Sequence, residues 1–103
     1  MAVASGVTIA IATSRLPFFD GALAIAAENR SGGLGTNRLQ FAPTTMSEGI
    51  AADVLDLCYD PQTSGGLLVC VGPGRARDYL SRVAGSAIIG EVTERGEVAI
   101  EVQ

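Results

Sequence analysis

Hydrophobic and polar positions alternate along this chain in two different periods, and the changes of period mark its elements. Val7, Ile9 and Ile11 alternate with Thr8, Ala10 and Ala12, which predicts a strand with one buried face, ended by Pro17. Leu23, Ala24, Ala26 and Ala27 predict a helix opened by Asp20, and SGGLG (31–35) breaks it. Residues 38–42 read as a short strand before Pro43. Ser47 is placed to cap a helix running to Leu57, with Ile50, Ala51, Val54 and Leu57 on one face and Glu48 and Asp53 on the other.

The second half begins with a turn-forming stretch, DPQTSGG (60–66). Leu67 to Val71 are all apolar, the pattern of a central strand buried on both faces. Gly72-Pro73 opens a helix with an apolar stripe of Ala76, Tyr79, Leu80 and Val83, stopped at Gly85. Residues 87–93 and 97–102 read as two strands joined in a hairpin by Glu94-Arg95-Gly96. Val98, Ile100 and Val102 are expected to face inward, and Ala99 outward with the charged residues. The predicted fold class is α/β (α+β): one layered domain over residues 1–103, with helices packed on a mixed four- to five-stranded sheet.

Composition narrows the function classes. Of 103 residues, 48% are hydrophobic and 17% charged, which favours a folded domain over disorder. The net charge is −4, with only 7 Lys and Arg, so no basic face is expected for nucleic acid. There is no His, hence no histidine general base or metal ligand. Cys58 and Cys70 lack the spacing of a metal-binding pair and are expected to be small core residues. Two thiols without a signal peptide lead us to expect a cytoplasmic protein, and no apolar run approaches the roughly 20 residues of a membrane span.

Two loops hold the candidate chemistry. In SGGLGTN (31–37), Gly32 and Gly33 free the backbone to turn N–H groups toward an anion, and Asn37 offers an amide. A plain helix-stopping loop accounts for the same residues. The 60–66 stretch gathers Asp60, Gln62, Thr63 and Ser64 with two glycines ahead of the predicted central strand. It reads either as a Pro–Gly turn bonded to itself or as a loop facing a ligand or partner.

DPQTSGGLLVCV (60–71) closely resembles a segment near the C-terminus of the selenophosphate synthetases, in the superfamily of aminoimidazole ribonucleotide synthetase. ASGV (4–7), LPFFDGALAIA (16–26), GGLGTN (32–37) and IIGEVTE (88–94) resemble further family segments in the same order. One position departs from the pattern: the family has Thr after the glycine pair, where this chain has Leu34. The resemblance implies a C-terminal domain, with residues 1–5 as the stub of an interdomain helix. It implies a whole enzyme that uses ATP, Mg2+, selenide and water, and that is a homodimer. The family's reactive Cys or selenocysteine, its Lys, its glycine-rich ATP-binding segment and its magnesium-binding aspartates have no match in these residues. No catalytic residue, metal ligand or bound cofactor is therefore expected in this chain, and its partner would be an N-terminal ATP-binding domain. Gly32, Gly33, Asn37, Asp60, Gln62, Thr63 and Ser64 are the candidate ligand- or domain-facing residues. The competing reading is a free-standing binding module with the same fold, which the coding sequence upstream of Met1 would distinguish.

Overall fold

The computed structural model describes all 103 residues, Met1 to Gln103. Its organising element is β1 (Val7–Ile11), which has neighbours on both sides. Strand β3 (Gly90–Glu94) pairs with it antiparallel, and β4 (Ile100–Val102) pairs with it parallel. The two-residue β2 (Thr45–Met46) adds parallel to β4, giving a four-stranded mixed sheet in the order β2-β4-β1-β3. The backbone of β1 divides its bonds by parity. Ile9 and Ile11 bond toward the β4 side, at Ala99 and Gln103, while Ala12 donates to Ile89 at 2.8 Å on the β3 side.

The central strand is thus β1, with Thr8, Ile9 and Ala10 all buried, and the expectation of a single buried face is corrected. Thr8 is 1% exposed, and its hydroxyl accounts for that burial. It donates to Val98 O at 2.6 Å and accepts from Gly96 N–H at 2.9 Å, so a polar side chain is buried without an orphaned group.

Five α-helices complete the fold: α1 (Ala2–Ser5), α2 (Ala22–Ala26), α3 (Leu34–Phe41), α4 (Ala52–Tyr59) and α5 (Ala76–Arg82). Gly6 ends α1 at φ 64°, a left-handed conformation that glycine adopts without strain. This turn lays Ala2 on Ile9 and Ala99, with Val7, Ile11 and Ile100 around them. Helices α2 and α3 each pack on α4.

Several expectations fail, each for a tertiary reason. Residues 38–41 belong to α3, and Ala42 opens the 3-10 turn Ala42–Thr44 that follows it, rather than forming a strand, because Leu34 is buried and Arg38 is tied to α4. Ser47 does not cap α4, which begins only at Ala52. The strands at 90–94 and 100–102 form no hairpin; each pairs with a different edge of β1. Ala99, expected to face outward, is 1% exposed, because its backbone bridges Ile9 and Thr44 inside the sheet. Cys58 and Cys70 are exposed rather than core. Leu67–Val71 forms no strand, and all five residues are exposed, because the positions on both sides of β1 are taken by β3 and β4.

The resulting core is small. Ten residues are buried, and the radius of gyration of 14.2 Å exceeds the roughly 13 Å of a compact chain this long. Phe18 is half-buried, while Phe19, Leu39 and Leu67 are among the large apolar side chains left open to solvent. No helix is long and apolar enough to cross a membrane.

Candidate functional site

Helix α3 brings the two candidate loops together. It begins right after the glycine pair, with Gly33 at its N-cap. Gly33 lies against Pro61, and a Cβ added there would stand 2.9 Å from the proline Cγ. One turn into the helix, the Asn37 amide donates to Tyr59 O at 3.0 Å, at the C-terminal end of α4. The glycine loop thus abuts the beginning of the DPQTSGG turn through two separate contacts. Leu34, the departure from the family pattern, is buried beneath them as the first residue of α3.

An ion cluster lies under this junction. Asp56 is 4% exposed and stands between two arginines from the flanks of the glycine loop. Arg38 donates to Oδ1 at 3.0 Å. Arg30 Nε lies 2.9 Å from Oδ2, but no hydrogen bond forms there, so that contact is a charge pair whose N–H is poorly aligned. The Arg38 guanidinium also lies over the Tyr59 ring, 5.9 Å from its centroid. The cluster joins Arg30 and, through Arg38, helix α3 to α4, and no sequence pattern singled it out. Its signal was the single acid in Val-Leu-Asp-Leu-Cys (54–58), with two arginines eight residues apart around the glycines.

The remaining candidates differ in exposure. Asp60 is half-buried, while Gln62, Thr63 and Ser64 are exposed beside it, as is Gly32 on the facing loop. The Ser64 N–H donates to Gln62 Oε1, so part of the turn's polar capacity closes on itself. Thr63 makes no such bond and is exposed.

Two clefts adjoin the junction. One, of about 190 Å3, lies among α2, α3 and α4, with Ile25, Arg30, Leu34, Asp56 and Asp60 in its lining. The other, of about 230 Å3, lies over the sheet and is lined by Ile11, Phe41, Cys58, Tyr59, Ile100 and Val102. Both are smaller than the ~300 Å3 at which pockets begin to enclose drug-sized ligands. No three Asp, Glu, Cys or His side chains gather to hold a metal, and Asp56 is committed to arginines, so these residues do not fit a magnesium site.

Cys58 is exposed as a residue, but its thiol lies partly covered at the second cleft, and that partial desolvation of the thiolate raises its pKa above the ordinary value. The neutral thiol is the form the fold favours. Its contribution to stability is complete below the ordinary thiol range and is lost as the pH rises through the folded-state value. Alkylation of Cys58 by iodoacetamide is therefore expected to reach half its maximal rate at a higher pH in the folded chain than in urea. Equal midpoints would refute it.

Comparison with known proteins bears on the resemblance seen in the sequence. No family model matches the chain. Its whole length aligns with a "Selenide, water dikinase" of Caldanaerobacter subterraneus subsp. tengcongensis at 34% identity, over 32% of that protein. It aligns at 32% with "Selenide, water dikinase 2" of Peptoclostridium acidaminophilum, covering 99% of this chain and 31% of that one. A "Selenide, water dikinase" of Geobacter sp. (strain M21) is 36% identical, over 93% of this chain and 29% of that protein. This chain is homologous to the C-terminal part of the selenide, water dikinases. It spans about a third of the length of the curated relatives it matches.

Proposed function

We propose that this chain acts as the C-terminal part of a selenide, water dikinase, which makes selenophosphate, AMP and orthophosphate from ATP, selenide and water. The observation that carries the reading is the alignment of the whole chain with the C-terminal part of such proteins. In this reading the rest of the protein holds ATP and Mg2+, and this part closes one side of the cleft. Both clefts here are small for a nucleotide, and no acidic cluster gathers, which favours placing the phosphoryl chemistry elsewhere. Gln62, Thr63 and Ser64 then supply polar contacts across the domain boundary, while Gly32, Gly33, Asn37 and Asp60 hold that turn in place. The whole protein would be a cytoplasmic homodimer.

The test compares two preparations. The 103-residue chain alone is expected to release no AMP from ATP in the presence of selenide. A whole-length protein ending in these residues is expected to turn over, and to lose about tenfold or more in kcat/KM with Gln62→Ala, Thr63→Ala and Ser64→Ala combined, at an unchanged unfolding midpoint. Turnover by a contaminant-free sample of the short chain would overturn the supporting role. Undiminished turnover by the triple variant would overturn the role of the turn.

A further inference from the structure

The cleft among α2, α3 and α4 has in its lining a polar group that nothing satisfies. Asp56 Oδ2 is buried and accepts no hydrogen bond, because Arg30 Nε, 2.9 Å away, aims its N–H elsewhere. Such groups are rare in folded chains, and each marks a place where a partner is missing. The other oxygen is already taken, since Arg38 donates to Oδ1 at 3.0 Å. A partner for Oδ2 has to come from the cleft, whose lining Asp56 shares with Arg30 and Asp60. Asp60 follows Asp56 by four residues, is half-buried, and takes part in no ion pair. Asn29 gives its amide N–H to Ile25 O at 3.2 Å, which leaves its oxygen as a third acceptor on the α2 side. The walls between these groups are apolar, from Ile25, Leu34 and Leu57. A volume of about 190 Å3 holds a ligand of several heavy atoms, since ~15 Å3 of such space accommodates one water.

We propose that this cleft binds a small primary ammonium compound, with its cationic head on Asp56 Oδ2 and Asp60 and a short aliphatic stem along Ile25, Leu34 and Leu57. Arg30 is the displaceable cover. Its side chain is 58% exposed, and it shields Oδ2 without bonding it, so it turns into water when a better-aligned donor arrives. With Arg30 turned out, the carboxylates of Asp56 and Asp60 face one guanidinium, that of Arg38, and the excess negative charge is what a monocation neutralises. A primary ammonium suits the acceptors because its three N–H donors spread over separate oxygens, whereas a quaternary ammonium has no donor to give. A bare metal cation does not suit them, because the apolar walls offer no oxygens to complete its coordination. A neutral alcohol would leave the charge uncompensated. The site stands apart from the proposed role in selenophosphate synthesis and does not depend on it.

Titration of the chain with n-butylammonium chloride, followed through amide chemical shifts by two-dimensional NMR, tests the site. Saturable shifts at Ile25, Leu34 and Leu57 are expected, with a dissociation constant of about 1–10 mM for so small a ligand. Potassium chloride, tetramethylammonium chloride and n-butanol at the same concentrations are expected to give no saturable shift there. Asp56→Asn is expected to abolish binding. Asp60→Asn lies just beyond α4 and leaves the ion cluster intact, so it is expected to weaken binding about tenfold at an unchanged unfolding midpoint. Arg30→Ala removes the competing cover and is expected to tighten binding about threefold, the worth of an exposed charge pair. Shifts that never saturate would overturn the proposal. So would equal binding of potassium or n-butanol, an affinity unmoved by Asp60→Asn, or one that fails to rise in Arg30→Ala.

Discussion

Gly90→Val is expected to unfold most of the chain at room temperature. Gly90 pairs with Ile11 at the start of β3, where the two backbones touch. A Cβ there would run into the carbonyl of Ala10 and lie about 3 Å from its carbon and from the Ile11 Cα. Backbone atoms inside a ladder cannot swing away as the end of a side chain can. The strand must shift, and β3 would peel from β1, taking with it one flank of the most buried strand. Overpacking commonly costs about 1–3 kcal/mol, and a collision with backbone belongs at or above the top of that range. With ten buried residues the chain has little stability in reserve. Gly35→Ala is the control. Gly35 lies inside α3 with nothing within 4 Å of its Cβ position, so alanine there is expected to stabilise the chain by about 0.5–1 kcal/mol. Urea unfolding followed by circular dichroism measures both. A Gly90→Val midpoint equal to that of the unsubstituted chain would show that β3 does not approach β1 as described.

The second large effect concerns the charges beneath the loop junction, and it is expected to be asymmetric. Arg30 and Arg38 are 58% and 45% exposed in their side chains, while Asp56 is 4% exposed. Asp56→Ala leaves two guanidinium groups that can turn into water. Arg30→Ala with Arg38→Ala leaves a carboxylate buried without a counter-charge. Breaking a buried pair from the side that strands the charge costs about 3–5 kcal/mol, and solvent near the arginines brings the double change toward the lower end. Asp56→Ala is expected to cost about half as much, mainly through loosened α3–α4 packing. Adding Asp56→Leu to the double arginine change is expected to recover most of the loss, since no charge then remains buried. An Asp56→Ala loss that equals or exceeds that of the double arginine variant would sink this account.

The period-2 alternation at 7–11 and the apolar spacing through Val54 and Leu57 and through Ala76, Tyr79 and Leu80 were strong local signals, and the structure has β1, α4 and α5 there, although α4 begins at Ala52 and so leaves out Ile50 and Ala51 of the expected stripe. Gly85, at φ 76°, stands where the third helix was expected to stop, because few other residues adopt that conformation without strain. The candidate site was legible as two loops of unusual composition. That Gly33 meets Pro61 and that Asn37 reaches Tyr59 O could not be read, because both contacts cross from α3 to the end of α4. The acid of the ion cluster was hidden for the same reason: Asp56 lies 26 and 18 residues from its arginines by sequence number, and pattern rules look only a few residues ahead.

By itself the sequence determined the fold class, the family resemblance and the two loops, since each depends on residue chemistry within a short window. Tertiary structure alone decided which strand is central. A run of five apolar residues and an alternating strand both promise burial, and pairing geometry chose the alternating one, because β1 can be flanked by β3 and β4 at once. It also decided that 34–41 is helical, since Leu34 gains burial and Arg38 gains Asp56 only if that segment coils against α4. Burial is a property of the partner as much as of the residue, and partners distant along the chain are what a single sequence, read locally, does not reveal.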